Sequence, residues 1–306
     1  MSADAFVASI LSTLDLTLSS LTPLLPPHLP PQTHLLVAFT ALFIAVRCLI
    51  AWPFVRVLLG FSSGNYATAS AASSVVCFLH GGPVAAAAGF LCYDQYMQDT
   101  VTFEKIMDIS SSIATYDDTY QQLARVTLTF SAAYMLYDAV FMLINAYCYG
   151  GDKEPYLVSF LLHHFGCCLV MFSVYFYGSG YTMLMVLIFL GEVTNPMQNA
   201  LNICLHGLSN GQKSPWKTLR SVIEPIFAVF FAVIRLILGP PITLYYFYHF
   251  GYQTLTGSVV TNVPYLVGLV WCIVTLAMVH GSVPFAMEKL AVFSKKVAAT
   301  KKKKKN

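Results

Sequence analysis

The stretch Leu157–Gly178, LVSFLLHHFGCCLVMFSVYFYG, decides the class of fold that this chain adopts. A helix needs about 20 mostly apolar residues to cross the ~30 Å hydrocarbon core of a bilayer, and this stretch is long enough. Two adjacent histidines, His163 and His164, nevertheless lie inside it. Ionisable groups at that depth are costly and usually face a cavity or a partner. The stretch therefore predicts a membrane-spanning helix that carries a polar site.

The rest of the chain is also apolar enough for a bilayer. Of its 306 residues, 57% are hydrophobic and only 10% are charged, and the mean hydropathy is +0.66. Soluble domains carry about 25% charged residues. Runs long enough to span the membrane are residues 34–53, 69–93, 124–148, 157–177, 181–204, 220–247 and 263–285. We therefore predict an all-α, polytopic membrane protein with about seven transmembrane helices.

Both ends of the chain differ from the spans. Apolar residues recur at helical spacing between Phe6 and Leu21, and a Pro-rich stretch follows, so residues 1–33 predict an amphipathic helix on the membrane and a stiff connection. No basic residue precedes the apolar stretch, and we expect no cleaved signal peptide. At the other end, Lys303 and Lys304 fit a dilysine signal for retrieval to the endoplasmic reticulum; a polybasic strip on anionic lipid is the alternative.

Basic residues predict the orientation of the bundle. Lysines and arginines cluster before the second span, between the fifth and sixth spans, and after the seventh. The segment from Asp94 to Gln122 carries six acidic residues and one lysine. By the positive-inside rule, the C-terminus is cytoplasmic and the N-terminus lumenal.

The eight cysteines lie in or at the ends of spans and form no C-x-x-C pair. A soluble disulfide framework or a zinc knuckle is therefore not expected. We expect these residues to pack as small apolar side chains.

Polar residues inside the spans are the candidates for function, because each is expensive to bury in lipid. They are His80, Asp138, His163, His164, Glu192, Glu224, Arg235 and His280. On the fifth span, Glu192, Asn195 and Asn199 share one helical face, and Pro196 is expected to kink the helix beside Glu192. For the asparagines, hydrogen bonding to a neighbouring helix is the simpler alternative to a role in ligand binding. Arg235 is expected to meet Glu192 or Asp138.

Four stretches around these residues resemble the TLC domain, the membrane module shared by ceramide synthases and several lipid-homeostasis proteins. They are YMLYDAVFML, LLHHFGCC, LGEVTNPMQN and FFAVIRLILGP, in the family's order and spacing. The resemblance covers residues 66–288. It divides the chain into an N-terminal segment (1–33), a first transmembrane helix and loop (34–65), the TLC domain (66–288) and a basic cytoplasmic tail (289–306).

The resemblance implies six helices around a long apolar tunnel, with the paired histidines inside it. In ceramide synthases such histidines support transfer of an acyl group from acyl-CoA to a sphingoid amine. The sequence departs from that signature, because MLMVLIFLGEVTNP replaces the motif in which those enzymes place a His-Asp pair. The closer resemblance is to the branch of TLC domain-containing protein 4.

Three hypotheses for function follow. The first is a protein that binds, senses or regulates a lipid or acyl chain, with His80, His163, His164, Asn195, Asn199 and Arg235 as the lipid-binding residues. The second is an acyl-CoA-dependent acyltransferase in which His163 or His164 is base or nucleophile and Asp138 or Glu192 orients the ring.

The third hypothesis is a metal-dependent hydrolase with His80, Asp138, His163 and His280 around the ion. No histidine pair has the helical spacing typical of metal ligands. We therefore expect no metal and no cofactor, with acyl-CoA as a possible substrate, and membrane lipids rather than nucleic acid as partners. The sequence leaves the oligomeric state open.

Overall fold

The computed structural model describes residues 12, 31–61, 65–97, 113–150, 157–209, 211, 214–256 and 263–305. The helices in these ranges are α1 (Pro31–Ala45), α2 (Tyr66–Met97), α3 (Asp118–Tyr149), α4 (Leu157–Tyr177), α5 (Tyr181–Glu192), α6 (Asn195–Ser209), α7 (Ser214–Ala232), α8 (Gly239–Thr256), α9 (Tyr265–Gly281) and α10 (Val283–Lys305). No strand occurs in the described ranges. The prediction of an all-α, polytopic membrane protein is confirmed. The amphipathic helix predicted before residue 31 lies outside the described residues, apart from Ser12.

The described part of the chain contains six helical runs that are long and apolar enough to cross a membrane. They are Gln32–Leu58, Tyr66–Tyr93, Asp118–Tyr149, Leu157–Tyr177, Pro215–Tyr252 and Tyr265–Lys295. The remaining predicted span, residues 181–204, is present as two shorter helices, α5 and α6. Pro196 lacks a backbone N–H and its ring clashes with the preceding turn, which favours a kink or break just before it; Pro83 in α2 and Pro225 in α7 are accommodated without a break. The kink expected beside Glu192 is thus a break at Val193 and Thr194.

Wider helical turns modify two of the spans. The first span continues after α1 through π-helical turns at Val46–Ala51 and Phe54–Leu58. The sixth span passes from α7 to α8 through π-helical turns at Val233–Leu238, which contain Arg235. Such turns leave the regular hydrogen-bond ladder and are frequent at functional sites.

The second to seventh predicted spans pack in a closed circuit. Helix α2 packs against α3, α3 against α4, α4 against α9, and α9 leads into α10. Helix α10 packs against α7, α7 against α6, and α6 returns to α2. Helix α1 packs against α3, and the π-helical turns that follow α1 pack against α2. This order agrees with the six-helix TLC bundle that the resemblance implies, and it brings the polar residues of α2 to α5 towards one another.

Candidate functional site

His80 is completely buried in the middle of α2, inside a group of aromatic rings. Its ring stacks on Tyr134 of α3 with centroids 3.9 Å apart, and it lies 5.6 Å from Phe130 and 5.9 Å from Phe43 of α1. Neither ring nitrogen has a hydrogen-bond partner among the described residues. The nearest charged group is Glu192, whose Oε2 lies 3.6 Å from His80 Nδ1. His80 is therefore held by stacking, with one nitrogen facing a carboxylate.

Glu192 is the last residue of α5 and is also buried. The side-chain amide of Asn195 donates to its Oε2 at 2.7 Å. The carboxylate also lies within electrostatic range of Arg235, His164 and Asp138. The break after Glu192 therefore places an acidic side chain among ionisable groups from several helices.

His164 of α4 forms the second histidine–carboxylate pair. Its Nδ1 lies 2.6 Å from the carbonyl oxygen of Phe160, and its Nε2 lies 3.1 Å from Asp138 Oδ2 on α3. A carbonyl oxygen only accepts hydrogen bonds, so Nδ1 carries a proton. The contact at Nε2 then requires a second proton, either on the ring or on the carboxyl group. Both nitrogens of His164 are engaged by the protein itself.

His163 has a different environment from its neighbour. It is exposed on α4, and its ring is nearly perpendicular to that of His164 with centroids 5.8 Å apart. Its Nε2 lies 3.6 Å from the thiol of Cys167, which in turn contacts the sulfur of Met278 on α9 at 3.3 Å. His163 is also within electrostatic range of His164 and Arg235. Of the two histidines, His163 is the one that an external molecule can reach.

Arg235 reaches the end of α5 from the π-helical turns of the sixth span. Its Nη2 donates to the carbonyl oxygen of Gly191 at 2.8 Å, and its guanidinium lies 5.4 Å from the ring of Phe231. Its buried Nε has no hydrogen-bond partner in the described part of the chain. Within the described residues Arg235 forms no ion pair with Glu192 or Asp138; it binds the backbone next to Glu192 and lies within electrostatic range of that carboxylate.

We call the following five side chains the polar layer: His80, Asp138, His164, Glu192 and Arg235. They come from α2, α3, α4, α5 and the sixth span, and they interact electrostatically across these elements. The other predicted site residues have separate contacts. Asn199 donates to Cys77 Sγ at 2.9 Å and to the carbonyl oxygen of Asn195, which is the interhelical role expected of asparagine. Glu224 pairs with Arg220 one turn away at 3.0 Å.

The metal-site residues proposed from the sequence do not form a ligand cluster. No group of three or more His, Cys, Asp or Glu side chains within the described ranges is placed to hold a metal ion. Nε2 of His280 is buried without a hydrogen-bond partner there. An elongated tunnel along the polar layer stays a prediction.

Sequence reasoning missed two residues that matter for this region. Tyr134 stacks on His80, and it lies four residues before Asp138, so both side chains share a face of α3. Arg47 is a buried arginine within the first span. A charged residue inside an apolar run is a sequence feature that could have identified it. Its contacts are given below.

Comparisons with known proteins place the fold in a family. The family model described as TLC domain matches residues 70–281, which is more than half of the chain. A search of curated proteins found no match, and a search of solved structures found none either. The closer resemblance to the branch of TLC domain-containing protein 4 stays a prediction. The chain belongs to the TLC-domain family, and this domain indicates a membrane protein of lipid metabolism or homeostasis.

Proposed function

We propose that this protein acts in lipid homeostasis by binding, sensing or regulating a lipid or acyl chain inside the helix bundle. One observation carries the proposal: an exposed imidazole, His163, stands beside the polar layer, in which His80, His164 and Glu192 are buried, at the depth of a membrane span. Interhelical contacts in membranes need only small or neutral polar residues. Ionisable residues from five elements exceed that need, and intramembrane charges usually mark a ligand pathway.

The contacts divide the roles within the site. Asp138 and the Phe160 carbonyl occupy both nitrogens of His164, so this residue orders the site. His163 is exposed, and its contacts among the described residues are the long one to Cys167 and the edge of the His164 ring. We assign the contact with the polar group of the ligand to His163, with Arg235 supplying nearby positive charge. Apolar side chains of the bundle would contact the hydrocarbon.

Lipid extraction and mass spectrometry of the purified protein test this proposal. We expect a lipid or acyl chain enriched over the surrounding membrane. His163→Ala should lower its occupancy by roughly 5- to 30-fold, as expected from a membrane hydrogen bond of about 1–2 kcal/mol. His249→Ala is the matched control, because His249 contacts only Tyr245 and Tyr248 among rings of the described residues. Equal lipid content in both variants, or no enrichment in the wild type, would contradict the proposal.

An acyl-CoA-dependent acyltransferase is the second candidate, and the His164–Asp138 pair favours it. A carboxylate that orients an imidazole is a common arrangement in nucleophilic catalysis. In this reaction the unprotonated nitrogen of His163 attacks the thioester carbonyl, the C–S bond breaks, and the departing CoA thiolate takes the proton from the other ring nitrogen. An amine or hydroxyl acceptor then attacks the acyl-imidazole, the N–acyl bond breaks, and the acceptor's proton returns to the ring, which regenerates neutral His163.

Labelled acyl-CoA separates the two candidates. Purified protein is incubated with the label, any acyl-protein adduct is trapped, and its position is found by peptide mass. An adduct on His163 or His164 that moves into lipid on adding acceptor would establish turnover. No adduct over several chain lengths and acceptors would leave lipid binding as the function.

We also propose that the protein resides in the endoplasmic reticulum, with a lumenal N-terminus and a cytoplasmic C-terminus. The distribution of Lys and Arg supports this orientation, and the lysines near the C-terminus support retrieval.

A further inference from the structure

A second polar cluster lies outside the polar layer, around Arg47 in the π-helical turns that follow α1. Only 4% of this arginine is exposed. Its Nη1 donates to Ser73 Oγ at 2.7 Å, and its Nη2 donates to the carbonyl oxygen of Ala69 at 3.2 Å and to Asn145 Oδ1 at 3.0 Å. The guanidinium carbon lies 4.4 Å from the centroid of the Phe141 ring. Arg47 therefore joins the first span to α2 and α3.

The partners of Arg47 are all electrically neutral. No ion pair formed by the described residues includes it. A buried charge without a countercharge is costly in a protein and more so within a membrane span. Arginine also has five N–H donors, and the hydrogen bonds above use three of them. The cluster thus retains positive charge and donor capacity.

A pocket of about 280 Å³ has Arg47 in its wall. Its lining residues are Arg47, Cys48, Trp52, Phe141, Ile144, Asn145 and Tyr149. Trp52 and Tyr149 face each other with ring centroids 6.5 Å apart, and Tyr149 is the last residue of α3. Tryptophan and tyrosine are enriched where membrane meets water, at the level of lipid head groups. The pocket is therefore an aromatic recess at a helix end with a single fixed cation in its wall.

We propose that this pocket binds the anionic head group of a membrane lipid, with Arg47 contacting the phosphate. The guanidinium fork matches phosphate oxygens, and the charge-assisted bonds would neutralise the buried cation. The volume suits a small head group, with the acyl chains remaining along the exposed apolar surface of the first span, where Leu49 and Ile50 are exposed. This site shares no residue with the polar layer, and it does not depend on the function proposed there.

The test uses full-length protein in phosphatidylcholine nanodiscs, titrated with dihexanoyl phosphatidic acid and followed by tryptophan fluorescence, because Trp52 lines the pocket. We expect saturable binding that weakens at least about tenfold in Arg47→Gln. Arg220→Gln is the matched control, since Arg220 pairs with Glu224 on α7; it should bind as the wild type does. Ile144→Trp fills the pocket while leaving the Arg47 bonds in place, and it should also weaken binding.

Ile144→Trp separates a ligand site from a purely structural clamp, and it keeps the test valid if Arg47→Gln does not fold. Unchanged affinity in Ile144→Trp would overturn the proposal, as would equal affinity in the Arg47 and Arg220 variants. Inorganic phosphate and dihexanoyl phosphatidylcholine are the further probes. Binding of inorganic phosphate as tight as that of phosphatidic acid would overturn the assignment to a lipid. Preference for phosphatidic acid over both probes would support it.

Discussion

Gly81 on α2 allows the Glu192 carboxylate to approach the helix closely. A Cβ atom at this position would lie 3.0 Å from Asn195 Cβ and 3.2 Å from Glu192 Oε2. The adjacent Gly82 is much less crowded, since its Cβ would meet only Pro196 Cγ at 4.0 Å. The absence of a side chain at Gly81, rather than at Gly82, therefore permits the contact between α2 and the break after α5.

We predict different effects of alanine at these two glycines. Gly82→Ala should change the free energy of unfolding by less than about 1 kcal/mol, because the higher helix propensity of alanine is offset by contact of its Cβ with the ring of Pro83. Gly81→Ala should be destabilising relative to it by about 1–3 kcal/mol, since Asn195 and Glu192 must move. Thermal unfolding of the two variants in the same detergent measures the difference. Equal unfolding temperatures would show that α2 does not approach Glu192 this closely.

Sequence alone identified the polar residues within the spans, but neither the extent of burial of each nor how they pair. The cost of burying ionisable groups identified Asp138, His164 and Glu192 before any coordinates were considered. The pairing of His164 with Asp138 depends on the rotation of α3 against α4, which spacing along one helix does not determine. The exposure of His163 beside a buried His164 likewise depends on which helices lie on each side of α4.

The end of α5 illustrates how neighbouring elements satisfy an interrupted helix. The last carbonyl groups of a helix lack intrahelical partners and carry partial negative charge. Arg235 donates to one of these oxygens, that of Gly191, from the π-helical turns of the sixth span. From sequence, Pro196 predicted a kink at this place and not a full interruption, and the position of the π-helical turns has no comparable sequence signal. The break and its cationic partner therefore come from distant parts of the chain.

Removing the Arg235 side chain should destabilise the contact between the fifth and sixth spans. We expect Arg235→Leu to lower the free energy of unfolding by about 1–3 kcal/mol, because a buried carbonyl oxygen loses its donor and Glu192 loses nearby positive charge. Arg220→Leu removes a partly exposed i,i+4 ion pair and should cost about 0.5 kcal/mol or less. Unfolding by SDS titration provides the comparison. If the Arg220 variant were the less stable of the two, the contact with Gly191 would have no stabilising role.

At the scale of the whole molecule, helices α2 to α10 form a closed circuit with the first span packed on α2 and α3. Apolar run length predicted nearly all the elements, because bilayer thickness sets a minimum length for each crossing. Only the family resemblance predicted that the helices form a bundle of this kind, since hydropathy carries no information about which helices are neighbours. Phe43 reaches His80 from the first span, so this span also closes one side of the site.

The orientation of the molecule gives a prediction that protease protection can check. In sealed microsomes, a C-terminal tag should be digested from outside and an N-terminal tag protected, because the basic segments stay cytoplasmic. A protected C-terminal tag would reverse the orientation.

The lysines near the C-terminus give a separate prediction about location. Replacing Lys303 and Lys304 by serine should let the protein leave the endoplasmic reticulum. An unchanged location would favour the polybasic strip.

The interrupted fifth span has a consequence for how the protein is made. Helices α5 and α6 contain 12 and 15 residues, or about 18 and 22 Å at ~1.5 Å per residue. Each half is shorter than the ~30 Å core that a newly synthesised segment must cross. We therefore expect the two halves to leave the translocon together, with Glu192 between them. Helix α2 is synthesised earlier, and its contacts through His80 and Gly81 would then stabilise this acidic junction in the bilayer.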